Sequence, residues 1–132
     1  MAVAMKMIHD VDPAVDIRQK VGDLSKIDIF ANQVLLGVYQ RPERTKSGLI
    51  LADRTRAEDE HQGKVGLVLK VGPQAFVDSD DYHFTEAEKV KKGEWVVMWV
   101  TDGRKIGIND QLCRVVKDFE IRMRIASPDM VF

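Results

Sequence analysis

Hydrophobic positions near the start of the chain recur at the spacing of an α-helix. The apolar residues of the stretch DPAVDIRQKVGDL share one helical face: Ala14, Ile17, Val21 and Leu24. Asp12 stands where a helix N-cap is expected, and Pro13 stands at the first helical position, which suits its fixed φ. The pattern therefore predicts a short amphipathic helix, which Gly22 weakens.

From Asp28 onward the helical period disappears, and short β-branched or aromatic runs follow, divided by Gly, Asn, Asp and Pro. The runs predicted as strands are Val34 to Tyr39, Lys64 to Val71, Glu94 to Val100, Arg104 to Ile108, Leu112 to Val116 and Ile121 to Ile125. Their spacing predicts an all-β body, a small barrel with a helical preface. In EWVVMWV both faces of the strand are apolar, so this strand is either central or covered on one side by another subunit.

Length and charge limit the classes of function. A chain of 132 residues is expected to form one domain. Lysine plus arginine number 20 against 21 acidic residues, a net charge of −1, which removes the main driving force for generic nucleic-acid binding. The apolar runs are too short to span a membrane, and the N-terminal stretch lacks a signal-peptide core. The expected protein is soluble and cytoplasmic, without a nucleic-acid or membrane partner.

Residues capable of metal or acid-base chemistry are few and scattered. The candidates are His9, His61, His83, Asp78, Asp80 and Asp81. The histidines lack the spacing of a zinc site, and DSDDYH departs from a calcium loop at Tyr82 and His83. There is also no Gly-x-Ser-x-Gly elbow or phosphate-binding glycine loop. The sequence therefore predicts no metal site, no cofactor and no enzymatic activity, with the carboxylates as solvated loop charges.

The sulfur and indole groups have structural interpretations. Cys113 is the only cysteine, which excludes an internal disulfide and makes a small core residue the favoured interpretation. Trp95 and Trp99 are two apart in a predicted strand, a spacing that could serve as a stacking platform for single-stranded nucleic acid. Core packing is favoured over that platform, because apolar residues interleave them.

Residues 41 to 62 form a long segment without sustained periodicity, and they include ten charged side chains, five of each sign. Within it, Gly48 precedes an aliphatic triplet of Leu49, Ile50 and Leu51. Two interpretations remain open at this point. The triplet could fold back onto the barrel as a strand, or it could be a docking segment that its charged flanks keep from self-association.

Energetics favour several copies if the triplet docks. Burying three aliphatic side chains contributes on the order of 5 to 8 kcal/mol, whereas ordering a disordered segment costs about 2 to 5 kcal/mol. One segment alone is expected to bind weakly. Several presented together bind more tightly, because later contacts form at high effective concentration. The docking interpretation therefore predicts an oligomer.

Several segments together resemble the GroES-type co-chaperonins. TKSGLIL (45 to 51) resembles the mobile loop of that family, and the segments GKVGLVLKVGP (63 to 73), VKKGEWVVMWVTDGRKI (90 to 106) and CRVVKDFEIRMRI (113 to 125) follow in the family order. With FANQVLLGVYQ (30 to 40), the resemblance covers about three quarters of the chain. It implies a GroES-like β-barrel with a long mobile loop, here behind a short N-terminal helical extension.

The resemblance also implies partners and contacts. It implies a seven-membered ring that caps a chaperonin and assists ATP-dependent folding, the chaperonin hydrolysing the ATP. The implied chaperonin-binding residues are Gly48, Leu49, Ile50 and Leu51. Ring contacts would join the first barrel strand to a neighbour's last strand through Val34, Leu36, Val38, Ile121, Met123 and Ile125. The expected divisions are an extension (1 to 28), a barrel (29 to 126, with its loop at 41 to 62) and a tail (127 to 132).

The chain also departs from the family pattern. Phe30-Ala31 and Asn32-Gln33 replace the usual Pro-Leu and Asp-Arg pairs, and Gly48 stands alone where the family has two glycines. The extension and the tail are foreign to the pattern. These departures support a second hypothesis, a structural or decoration protein of a larger assembly, for example a virion, built on the same barrel.

Overall fold

The computed structural model describes residues 9 to 41 and 63 to 131. They form one α-helix, α1 (Pro13–Val21), and six strands. The strands are β1 (Gln33–Val38), β2 (Val65–Val71), β3 (Trp95–Val97), β4 (Arg104–Ile108), β5 (Gln111–Lys117) and β6 (Met123–Ile125). Short 3₁₀ helices occupy Glu86–Glu88, Asp118–Glu120 and Pro128–Met130. The all-β class predicted from the strand pattern is confirmed.

The six strands make one antiparallel sheet in the order β4-β5-β1-β2-β3-β6. β1 lies inside it, with Leu36 opposite Arg114 of β5 and Gly37 opposite Leu67 of β2. A bulge in the pairing with β2 falls between Leu35 and Leu36. β4 and β6 lie at the two ends of this order.

Helix α1 begins as its sequence predicts. The Asp12 carboxylate accepts hydrogen bonds from the amides of Ala14 and Val15 at 2.9 and 3.3 Å, and Pro13 is the first helical residue. The helix ends earlier than its apolar spacing suggests, because Gly22 takes a φ of 76°, in the left-handed region that favours glycine. Leu24 therefore follows the helix, yet it still packs on the same hydrophobic cluster as Ile17.

One face of the sheet is covered by α1. We call the buried residues there the helix-side cluster: Ile17, Val21, Leu35, Tyr39, Val65, Leu67, Leu69, Trp95, Val97, Cys113 and Ile125. Ile17 and Val21 of the helix are 4% and 1% exposed. Fully burying an aliphatic side chain contributes about 1.5 to 3 kcal/mol, so α1 is an integral layer of the fold.

The other face is covered by the long connection between β2 and β3. The buried residues on this face of the sheet, together with those of the connection that cover it, form the far-side cluster: Val34, Leu36, Val38, Val68, Phe76, Val90, Val96, Met98 and Val116. The Asp118 carboxylate, itself buried, accepts the backbone amide of Phe76 at 2.9 Å and so holds the connection against the sheet. Residues along β1 alternate between the two clusters, as the pleat of a strand requires.

This two-faced burial explains the apolar residues WVVM at 95 to 98. β3 pairs with β2 on one side and β6 on the other, so the strand is central, and its two faces are covered by elements of its own chain. The regular strand ends at Val97, earlier than predicted. Beyond it the chain turns, and the amide of Trp99 donates to the Asp102 carboxylate at 2.7 Å.

Candidate functional site

The segment with the predicted docking triplet joins β1 to β2. Gly48, Leu49, Ile50 and Leu51 lie outside the described residues, which stop at Arg41 and resume at Gly63. The structure does describe the two ends of this segment. These ends fix where it leaves the sheet and where it returns.

The two ends meet at one edge of the hydrophobic core. The amide of Tyr39 donates to the carbonyl of Val65 at 2.9 Å, directly after Val38 pairs with Gly66. The amide of Met98 donates to the carbonyl of Lys64 at 2.8 Å, which ties the returning end to β3. We call Val38, Tyr39, Lys64, Val65 and Met98 the neck. The sheet therefore holds the two ends of the segment close together.

Tyr39 is the aromatic centre of the neck. Its side chain is 6% exposed, and its ring meets Trp95 edge-on, with the centroids 5.8 Å apart. Its hydroxyl lies 2.8 Å from Nε2 of His9 in the N-terminal extension, and the two rings are 5.9 Å apart. Sequence reasoning placed Tyr39 only at the end of a strand. Its position directly before the charged segment was the available signal.

A buried amide fixes the last carbonyl of β1. Nε2 of Gln111 donates to the carbonyl of Val38 at 3.0 Å and to that of Leu112 at 2.7 Å, and Gln111 is buried. A buried polar group that is hydrogen-bonded in this way rigidifies its surroundings. Gln111 therefore holds β5 to the outgoing side of the neck, a role that the sequence did not indicate.

The predicted ring contacts through β1 need a correction. Val34, Leu36 and Val38 are at most 2% exposed, and they fill the far-side cluster. Both edges of β1 are hydrogen-bonded within the chain, to β2 and to β5. In this fold β1 has no free edge for a neighbour's strand, and its side chains are not available for contact.

The predicted contacts near the end of the barrel lie differently. β6 pairs with β3 through Met123 opposite Val97 and Ile125 opposite Trp95, and within the described residues its other edge is not paired. Met123 is 50% exposed, whereas Ile125 is buried in the helix-side cluster. Ile121 precedes the strand and packs against the far-side cluster. Met123 is therefore the exposed member of this group.

A buried ionic network shapes the turn after β3. The Arg122 guanidinium pairs with the Asp102 carboxylate at 2.9 and 3.1 Å, and Asp102 is 5% exposed. Burial alone would raise the pKa of the Asp102 carboxyl, but hydrogen bonds from Arg122 and from the Trp99 amide hold it below its usual value. Nη1 of Arg114 donates to the carbonyls of Trp99, Val100 and Asp102 at 2.9 to 3.2 Å.

The two tryptophans do not form a stacking platform. Trp95 is a core residue of the helix-side cluster, as the favoured interpretation predicted. Trp99 lies beyond the strand end, is 50% exposed, and has the Arg122 guanidinium 5.4 Å from its ring centroid. Core packing is therefore confirmed for Trp95 and wrong for Trp99.

The candidate metal and nucleophilic residues are dispersed. His61 lies outside the described residues, His9 faces Tyr39, and the exposed His83 lies 4.0 Å from the Asp78 carboxylate. Across residues 9 to 41 and 63 to 131, no three metal-ligating side chains of the His, Cys, Asp and Glu types come together. Cys113 is fully buried, and burial raises the pKa of its thiol to about 11. The same ranges include no helix long and apolar enough to cross a membrane.

Comparisons with known proteins locate the similarity in the barrel. The family described as "Chaperonin 10 Kd subunit" matches residues 26 to 124. A protein named "Co-chaperonin GroES" from Caldicellulosiruptor saccharolyticus is 26% identical over 96 residues, which is 73% of this chain and 93% of the relative. A protein of the same name from Caldicellulosiruptor bescii gives the same identity and coverage. The matched region includes the neck and the whole β1 to β2 segment, but not α1.

Proposed function

The chain belongs to the chaperonin 10 kDa subunit family, and from this membership we propose that it is a co-chaperonin that caps a chaperonin ring and assists ATP-dependent protein folding. The observation that carries the proposal is the family match over residues 26 to 124, which spans the neck and the segment that it closes. The two relatives bear the same functional name, and 93% of each is covered.

In this proposal, Gly48, Leu49, Ile50 and Leu51 bind the chaperonin. The neck supports the idea, since it ties both ends of the segment to the sheet at one place. An aliphatic triplet can enter an apolar groove on a partner, with Gly48 permitting the turn before it. The charged residues around the triplet keep it soluble between encounters.

Assembly completes the mechanism. One triplet gains on the order of 5 to 8 kcal/mol from burial, less about 2 to 5 kcal/mol for ordering its segment, so single contacts are weak. A homo-oligomeric ring, seven-fold as the resemblance implies, presents several triplets at once and strengthens binding through effective concentration. β6 is the strand proposed for ring contacts, since Met123 is half exposed beside an edge that is not paired within the described residues.

The proposed divisions of the chain follow the same logic. The family match begins at residue 26 and ends at 124, close to the proposed barrel at 29 to 126. Residues 1 to 28 form the extension and 127 to 132 the tail, of which Pro128 and Asp129 are buried against the body. Chemistry is left to the chaperonin, so the proposal needs no catalytic residue and no cofactor in this chain. The proposed location is the cytoplasm.

Nucleotide-dependent co-elution with a chaperonin tests the proposal. The wild-type chain is expected to co-elute with the ring when ATP is present and to elute alone when nucleotide is omitted. Leu49→Asp and Ile50→Asp are expected to abolish co-elution while the circular dichroism of the barrel stays unchanged. Ala57→Asp adds the same charge to the same segment outside the triplet and is the matched control. Co-sedimentation with an assembled particle, without any chaperonin complex, would contradict the proposal.

A further inference from the structure

The N-terminal extension is built into the protomer although the family match begins after it. Ile17 and Val21 of α1 are buried in the helix-side cluster. The helix packs on the sheet at Gly37, where a Cβ would lie 2.5 Å from Cγ2 of Ile17 and 3.1 Å from Cδ1 of Leu69. A glycine at this position of β1 therefore leaves room for Ile17 of the helix, and a Cβ there would force the Ile17 side chain to shift.

The C-terminal end of α1 is anchored by polar contacts to the sheet. Nδ2 of Asn109, in the turn between β4 and β5, donates to the carbonyl of Val21 at 2.6 Å. Nζ of Lys70 in β2 donates to the carbonyl of Leu24 at 2.8 Å and also to that of Ile27. The bond to Val21 satisfies a carbonyl that the helix end leaves without an intrahelical partner. The two bonds from Lys70 hold the chain that follows the helix, so together these contacts fix the position of α1 along the sheet.

The other end of the extension reaches the neck. His9 hydrogen-bonds the Tyr39 hydroxyl at 2.8 Å, and the backbone of the same Tyr39 closes the neck through its 2.9 Å bond to Val65. A cleft runs along this junction. It is lined on one side by extension residues that include Val11 and Pro13, and on the other by Gln40 and Arg41, the last residues before the 42 to 62 segment.

We propose that residues 9 to 24 brace the neck, the base at which the two ends of the β1 to β2 segment are held. His9 and Tyr39 act as positioning residues for partner binding; this rests on the proposed function. A braced neck has less conformational freedom to lose on association, so the brace raises affinity without touching the partner. Because the ring presents several segments, a small change in the binding free energy of each segment is multiplied across the complex.

A double-mutant cycle on the full-length chain tests the brace. His9→Ala and Tyr39→Phe each remove the same hydrogen bond, which is worth about 1 kcal/mol, or roughly fivefold in an equilibrium constant. Amide hydrogen exchange at Tyr39 and Met98, the two donors that close the neck, is expected to accelerate by about fivefold in each single variant. The neck amides of the double variant are expected to exchange no faster than those of the single variants, because both substitutions remove the same hydrogen bond.

Chaperonin affinity, measured in the presence of ATP, is the second readout. Each single variant is expected to bind at least fivefold more weakly than the wild type. Gly107→Ala is the matched control, since a Cβ there meets no atom within 4 Å, and it is expected to change neither readout. Gly37→Ala, which crowds the Ile17 side chain of α1 and leaves the hydrogen bond in place, is also expected to weaken binding.

The outcomes separate this inference from the proposed function. If amide hydrogen exchange at the neck is unchanged in His9→Ala, the brace is overturned, whatever the affinity of the variant for the chaperonin. Faster exchange with unchanged affinity overturns its role in partner binding. If the wild type itself binds no chaperonin, the proposed function fails, and the exchange cycle alone then decides whether the extension holds the neck.

Discussion

Gly37 and Ile17 fit together so closely that the absence of a side chain at one position makes room for the other. The Cγ2 atom of Ile17 occupies space 2.5 Å from where a Cβ on Gly37 would lie. This contact joins the centre of the sheet to α1, which lies outside the family match. The extension and β1 are thus matched to each other within this one chain.

Gly37→Ala is expected to destabilise the protein by about 1 to 3 kcal/mol, because the new methyl group overpacks the junction between α1 and β1. Urea unfolding measures the change. Gly107→Ala is the control, since its methyl group enters open space, and it is expected to stay within about 0.5 kcal/mol of the wild type. Adding Ile17→Ala should make room for the new methyl group, so the two substitutions should be strongly non-additive. Additive losses would show that this contact does not hold the helix.

Asp102→Asn is expected to cost about 1.5 to 3 kcal/mol at pH 7, since an amide cannot accept both hydrogen bonds from Arg122 as a buried carboxylate does. The pKa of the Asp102 carboxyl is lowered in the folded state. Its stabilising contribution is therefore complete above its ordinary value of 3.8 and is lost as the pH falls below that through the folded-state pKa.

Unfolding of the wild type and Asp102→Asn across pH 2 to 7 checks this sign. The difference in the free energy of unfolding between the two proteins should become smaller only in the acid range. Asp81→Asn, at an exposed carboxylate, should show little effect at any pH. A difference in unfolding free energy that stays constant down to pH 2 would mean that the charge of the Asp102 carboxylate does not stabilise the fold.

Cys113 is expected to resist alkylation in the native protein. Its side chain is fully buried, and burial raises the pKa of the thiol to about 11, so almost no thiolate is present at pH 8. Iodoacetamide labelling followed by mass spectrometry should be slow in buffer and fast in denaturing urea. Equal rates in the two conditions would place the thiol at the surface.

Met123→Lys is expected to weaken the homo-oligomer. A lysine on the half-exposed position of β6 puts a charge where a neighbouring subunit is proposed to bind, and charges at strand edges oppose edge pairing. Native mass spectrometry should show a ring for the wild type and smaller species for the variant. Val77→Lys, at a position 59% exposed in the β2 to β3 connection, is the control. An intact ring in Met123→Lys would remove β6 from the interface.

Local signals were sufficient for the elements of the fold. Asp12 and Pro13 act within one helical turn, and the alternation along β1 reflects the pleat, so the helix and the strand class followed from short-range chemistry. Gly22 was interpreted as a weakness inside a longer helix. It is the terminating residue, because its φ of 76° turns the chain away.

What covers each face did not follow from the sequence. The apolar run at β3 indicated a covered face, but periodicity does not distinguish a helix of the same chain from a neighbouring subunit. The ring contact assigned to β1 came from the family resemblance, and neither resemblance nor alternation reveals the sheet order that decides which strand edges are occupied.

The neck and the ionic network depend on contacts between distant positions. His9 and Tyr39 are 30 residues apart, and nothing local in either stretch pairs them. Arg114 and Asp102 are charged residues that composition would assign to the surface, yet both are buried and bonded. The docking triplet depends on the sequence and the family resemblance alone, since it lies outside the described residues.

Refolding of a chaperonin-dependent enzyme tests the co-chaperonin assignment most directly. A denatured client is diluted into chaperonin and ATP, with or without this chain, and recovered activity is followed over time. The account predicts a higher yield with the wild-type chain than with chaperonin and ATP alone, and no such gain with Leu49→Asp. A yield that the wild-type chain leaves unchanged would contradict it.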